Sequence, residues 1–254
     1  MIFDTHAHYD DDAFDEDRDR LLSGLREQNV EYIVNVGASM ASSKRSVALA
    51  EKYPFVYAAV GVHPDEVGEL DEEKFLQLKA MAAHEKVKAI GEIGLDYYWD
   101  KEKHELQKHW FLRQMELAHD MNLPMIVHSR EAAKDTLDMV IAAKPLELKG
   151  IIHCYSYSAE QAREYLNMGY YLGIGGVLTF KNAKKLKEVA AYAPLSQIVL
   201  ETDCPYLAPV PYRGKRNNSS MIAYVAEELA AIKQVSVEEV LRITNENGRK
   251  LYHI

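Results

Sequence analysis

Short apolar runs rich in Val, Ile and Tyr alternate with longer amphipathic stretches along the whole chain, and this repeat constrains the fold more than any other feature. The runs predicted as strands are Ile2 to His8, Tyr32 to Gly37, Val56 to His63, Val87 to Leu95, Met125 to Ser129, Gly150 to Tyr155, Tyr170 to Gly175 and Ile198 to Asp203. Eight such runs are what a closed (β/α)8 barrel requires. Between them apolar residues recur three and four apart, as in Phe111, Met115 and Ala118, or Leu137, Val140 and Ile141, which is helical spacing. Met221 to Lys233 and Val237 to Leu251 also read as helices, the second opened by Ser236 and Glu239 in capping-box spacing. The 254 residues match the roughly 250 of such a barrel, and no Gly/Ser linker, low-complexity segment or close repeat divides them. The expected fold is a single TIM (β/α)8 barrel domain over residues 1–254. The rival, a doubly wound open sheet, normally carries a Gly-rich phosphate loop after an early strand, and none follows Ile2 to His8 or Tyr32 to Gly37.

Composition narrows the function. No apolar run approaches the ~20 residues of a membrane span, and the start, MIFDTHAHYDDD, has neither the basic nor the apolar region of a signal peptide, so the cytoplasm is the expected compartment. The two cysteines, Cys154 and Cys204, lack the C-x-x-C spacing of a structural zinc site, which leaves metal binding to His and carboxylates. The net charge of −9 argues against a sheath of phosphate contacts over the whole surface, so a nucleic-acid substrate would need one local basic face.

The metal-competent side chains fall at predicted strand ends. His6 and His8 are two apart on the first run, so strand alternation points both to one side. Glu92 lies between Gly91 and Gly94 in the fourth run, His128 closes the fifth, His153 the sixth and Asp203 the eighth. In a barrel these C-terminal ends form one rim, and four imidazoles with two carboxylates suit Zn²⁺, Mn²⁺ or Mg²⁺ rather than a soft metal. Each residue alone has a plainer reading: a hydrogen-bonded structural histidine, a salt-bridged core Glu92, an N-capping Asp203. Their coincidence at the ends of one repeat favours the metal. Cys154 and Cys204, each one place after a proposed ligand, are expected to face away as inert buried thiols.

These residues sit in segments that resemble the TatD family of metal-dependent deoxyribonucleases, a group of barrel metallo-hydrolases. The matching segments are Phe3 to His8, Gly61 to Pro64, Gly91 to Tyr97, Leu123 to Arg130, Ile152 to Tyr155, Glu201 to Tyr206 and Arg213 to Asn217, in family order and spanning the chain. The resemblance implies that His6, His8, Glu92, His128, His153 and Asp203 ligate a pair of divalent ions, with Glu92 bridging. A departure follows Asn217, where the family often has a proline and this chain has Asn218, Ser219 and Ser220.

From that ligand set follows a hydrolytic mechanism in which a metal-activated water attacks a phosphodiester and Asp203 orients the nucleophile and takes its proton. His63 is expected either beside the scissile phosphate or as an orienter, against a structural histidine before Pro64; Glu201 as a partner for a ligand histidine or a buried structural carboxylate. Arg130, Arg213, Lys215 and Arg216 are the candidate phosphate contacts, with Lys181, Lys184, Lys185 and Lys187 a second basic stretch that a solvated helix face explains as well. Tyr155, Tyr157, Tyr206 and Tyr212 can stack on unpaired bases or serve packing. The expected substrate is DNA, as single strands or ends, with no membrane and no obligate protein partner. Two alternatives stay open: a small-molecule metallo-hydrolase acting on an amide, lactone or phosphoester, and a metal-stabilised binding scaffold.

Overall fold

The structure, a computed structural model, describes residues 1–99 and 102–254. Its strands are β1 (Ile2–Ala7), β2 (Val30–Val36), β3 (Val56–Val60), β4 (Val87–Asp96), β5 (Met125–Arg130), β6 (Gly150–Ile152), β7 (Tyr171–Ile174) and β8 (Ile198–Leu200), and their order in the sheet follows the chain. The helices are α1 (Arg18–Leu25), α2 (Met40–Lys52), α3 (Glu72–Ala82), α4 (His104–Met121), α5 (Ala133–Ala142), α6 (Ala159–Asn167), α7 (Lys184–Tyr192), α8 (Ile222–Lys233) and α9 (Val237–Tyr252). Eight strands in chain order with helices between them are the (β/α)8 class that the apolar repeat predicts.

Local sequence explains the helix starts. The side chains of Ser39, Asp71, Ser158 and Ser236 accept from the backbone N–H three residues on, at the starts of α2, α3, α6 and α9. Strands of this class are buried on both faces, so they read as nearly continuous apolar runs: β4 is buried at every residue but Lys88, and β1 throughout.

The chain folds as two compact units, residues 1–35 with 154–254 and residues 36–153. In the first, β1 pairs with β2 and β7 with β8, all parallel, and a bridge joins Ala7 to Cys204. In the second, β3, β4, β5 and β6 pair in order. Here Gly94 sets β4 against β5: its φ is 148°, and a Cβ on it would lie 1.9 Å from the carbonyl oxygen of His128.

Two buried glutamines of α4, seven residues apart and hence on one face, serve the ends of this second group of strands. Past β3, Val62 N–H donates to Gln114 Oε1 at 2.8 Å and Gln114 Nε2 donates to Val62 O at 3.1 Å. At the end of β4, Asp96 N–H donates to Gln107 Oε1 and Gln107 Nε2 donates to Asp96 O, both at 2.9 Å.

Three predicted strands run three residues too long, at His63, Tyr155 and Asp203 against observed ends at Val60, Ile152 and Leu200. Past β3, Pro64 opens a 3-10 turn that His63 caps, its Nδ1 accepting from Asp65 N–H at 3.2 Å. Past β6 and β8, Cys154 (φ 45°) and Asp203 (φ 57°) are left-handed, which a strand does not accommodate. So His63, His153 and Asp203 sit on the turns that leave the strands.

Replacing Gln114 or Gln107 by leucine leaves one backbone N–H and one C=O unpaired in a buried place. Each variant is expected to lose about 2–4 kcal/mol of unfolding free energy, read as a lower urea midpoint; a midpoint equal to wild type would show that these contacts do not hold the strand ends.

Candidate functional site

In the first unit the candidate ligands are His6 on β1, His8 just past it, and Asp203 after β8. The two Nε2 atoms face each other at 3.0 Å, and Asp203 Oδ1 is 3.3 Å from His8 Nε2 and 3.8 Å from His6 Nε2. Two imidazole nitrogens so placed cannot both carry a proton toward each other, so a lone pair and a carboxylate oxygen converge. That donor set fits a divalent cation of the zinc, manganese or magnesium class.

The buried Asp4 carboxylate fixes this geometry. Its Oδ1 accepts from Thr202 N–H at 3.0 Å and from His6 N–H at 3.3 Å, and its Oδ2 accepts from the hydroxyls of Thr202 and Ser219, each at 2.6 Å. Asp203 N–H in turn donates to His6 O at 2.9 Å, and His8 N–H to Cys204 O at 2.9 Å. Burial raises Asp4 to about 7, against the pull of those hydrogen bonds. Ser219 belongs to the stretch where the family often has a proline; there Asn218 Oδ1 accepts from Ser220 N–H at 3.0 Å and caps a 3-10 turn.

In the second unit one carboxylate is ringed by imidazoles. Glu92 Oε1 lies 2.7 Å from His128 Nδ1, 3.2 Å from His153 Nε2 and 3.8 Å from His63 Nε2. His128 presents its other nitrogen, Nε2, to Asp96 Oδ2 at 3.0 Å. Burial depresses the His128 imidazolium, but the hydrogen bonds to Asp96 and Glu92 outweigh it and raise the pKa above the ordinary histidine value. For Asp96 burial acts upward, and the His128 bond with the amides of Tyr98 and Trp99 outweighs it, holding the carboxylate below its usual range. His63 is pulled down to about 3, first by burial and then by His128, so it is a neutral imidazole. Ligand atoms of His63, Glu92 and His128, and of His63, Asp65 and Asp96, come within 4.8 Å of one another.

Asp96 is a residue whose role the sequence alone did not single out; its signal was an even spacing from Glu92 on one strand, which puts both carboxylates on one face. Glu201 is buried against Gly173, where a Cβ would lie 2.2 Å from Oε2, and its Oε1 accepts from Cys154 N–H at 2.6 Å. Glu201 lies just past the end of β8 at Leu200. Cys204 is fully buried, and burial raises its thiol pKa, as expected of an inert thiol; Cys154 is half-buried.

The basic residues divide. Arg216 spans both oxygens of Asp17 at 2.8 and 2.6 Å and reaches Ala13 O, so its guanidinium ties the loop after β8 to the approach to α1. Arg213 lies over the Phe180 ring at 4.4 Å and Lys215 is exposed. Lys187 pairs with Glu228 at 2.6 Å, while Lys181, Lys184 and Lys185 are exposed. Arg130 stacks on Tyr98, its guanidinium 4.0 Å from the ring centroid. Tyr155 is core, and Tyr206 donates to Asp11 at 2.8 Å.

The model of the TatD-related DNase family matches residues 3–253. The chain belongs to that family. It is 44% identical to the metal-dependent hydrolase YabD of Bacillus subtilis over 100% of both chains, and 35% identical to the metal-dependent hydrolase YcfH of Escherichia coli over 100% of this chain and 96% of the relative. The crystal structure of YjjV, a TatD homologue from Escherichia coli, superposes with a TM-score of 0.93 at 29% identity, covering 100% of this chain and 98% of that one. As a TatD-family protein the chain is a metal-dependent hydrolase, and no described helix is long and apolar enough to cross a membrane.

The Asp4 carboxylate gives a test of the first cluster. Folding raises its pKa from 3.8 to about 7, so the folded state holds a proton that the unfolded chain releases. Its stabilising effect is complete below the unfolded value and is lost as pH rises through the folded one. Asp4→Asn, which cannot ionise, is expected to gain stability relative to wild type between about pH 4 and about pH 8, read from paired urea melts; a constant difference would show that Asp4 does not titrate there.

Proposed function

We propose that the protein is a metal-dependent deoxyribonuclease that shortens single strands or strand ends, with His6, His8, Glu92, His128, His153 and Asp203 holding two divalent ions. The observation that carries this reading is the pair of His–carboxylate clusters, His6, His8 and Asp203 in one unit and Glu92 ringed by His63, His128 and His153 in the other. The family name supplies the DNA substrate. Bound ions of the Mg²⁺, Mn²⁺ or Zn²⁺ class supply Lewis acidity that acidifies a water and neutralises phosphate oxygens.

The side chains do the rest. Asp203 orients the attacking water and accepts its proton at a carboxylate oxygen; its left-handed backbone, held to β1 through His6 O, aims that oxygen. His63 is neutral, and because its Nδ1 accepts from Asp65, its Nε2 carries the proton and serves as a donor to a phosphate oxygen. Glu201 orients the backbone beside His153 through Cys154 N–H. Arg213 and Lys215 bind the strand's phosphates, and Arg216, committed to Asp17, positions their loop. The reading places the protein in the cytoplasm as one domain.

Two measurements test it. End-labelled single-stranded DNA is expected to shorten with added Mg²⁺, Mn²⁺ or Zn²⁺ and to stay intact with chelator, and Asp203→Asn to lose at least about a hundredfold in rate while melting as a folded protein. If no metal supports cleavage although ions bind tightly, the nuclease reading fails and a small-molecule ester or amide becomes the substrate to seek. In the second, Arg213→Ala with Lys215→Ala is expected to weaken strand binding and to flatten its log–log salt dependence by about 0.7 for each phosphate left without its cation. An unchanged slope would remove both residues from the phosphate path.

A further inference from the structure

Trp99 is 66% exposed and Tyr98 is 42% exposed, an unusual display of two large aromatic rings side by side. They meet edge to face, centroids 4.7 Å apart at 88°. Arg130, paired in register with Asp96 where β5 meets β4, lays its guanidinium 4.0 Å from the Tyr98 centroid and 5.5 Å from that of Trp99.

This surface is anchored to the second cluster. Tyr98 N–H and Trp99 N–H both donate to Asp96 Oδ1, at 2.8 and 3.2 Å, and the other oxygen of the same carboxylate meets His128 Nε2 at 3.0 Å. One buried side chain thus sets both the imidazole of a proposed metal ligand and the backbone that carries the exposed rings.

We infer that Tyr98, Trp99 and Arg130 form a subsite for one nucleotide of a single strand, an unpaired base stacking on the Trp99 indole and a neighbouring phosphate meeting Arg130. The inference rests on the nuclease reading and adds to it where a base is held. A flat ring with a fixed cation beside it matches the two parts of a nucleotide, a π-face and an anion, and such stacking serves any base. A duplex keeps its base faces covered, so the subsite selects unpaired strands. Among the chain's two tryptophans the other, Trp110, is 5% exposed, which makes Trp99 its own reporter.

The test is binding of two cleavage-resistant phosphorothioate strands of equal length, one of thymidines and one abasic, to the metal-loaded full chain. The thymidine strand is expected to quench tryptophan fluorescence and to bind roughly ten- to a hundredfold more tightly than the abasic one. Trp99→Ala is expected to abolish both the quench and that preference, and Trp99→Phe to retain most of the preference. Equal affinity of wild type for the two strands, or a preference that survives in Trp99→Ala, overturns the subsite and leaves the nuclease reading standing. Binding of neither strand overturns both.

Discussion

Strands β3, β4, β6 and β8 stop inside the protein, and these stops leave backbone groups that must be bonded where water does not reach. Buried polar side chains meet that demand, and they sit beside the residues that matter. Gln114 bonds both backbone groups of Val62, next to His63, and Gln107 does the same for Asp96. Asp4 takes the N–H of Thr202, next to Asp203, while Glu201 takes the N–H of Cys154, next to His153. Removing one partner would leave a buried donor or acceptor unsatisfied, a cost of about 1–3 kcal/mol each. The same bonds that keep the strand ends stable therefore fix the direction of the neighbouring imidazoles and carboxylates.

The sequence carried the architecture because both-faces burial writes each strand as an apolar run, and eight runs with helical stretches between them leave few alternatives. It also carried the ligand candidates, since an imidazole at the end of an apolar run is conspicuous. What it hid was where the strands stop. Left-handed φ values at Cys154 and Asp203 are set by contacts with distant segments, such as Asp203 N–H on His6 O, and have no local signature.

The supporting residues were hidden more deeply. Gln107 and Gln114 look like the polar face of an ordinary amphipathic helix, and only the fold shows them fully buried against strand ends. Arg216, in a basic loop, reads as a phosphate ligand but spends its donors on Asp17. Tyr98 and Trp99 follow directly on β4, yet the chain turns at Asp96 and leaves them outside.

The electrostatics of the second unit connect these points to chemistry. Asp96 and Glu92 flank His128 and raise its pKa, so a proton there is held by two carboxylates that together attract positive charge. A cation ligated by His128 must displace that proton, because imidazole coordinates only in its neutral form, so metal affinity and protonation compete at one ring. His63, 4.3 Å away between ring centroids, is neutral because a second imidazolium beside His128 would be repelled and desolvated. One unit thus holds one histidine whose pKa two carboxylates raise and another whose pKa burial lowers to about 3, a division imposed by burial and by the flanking carboxylates.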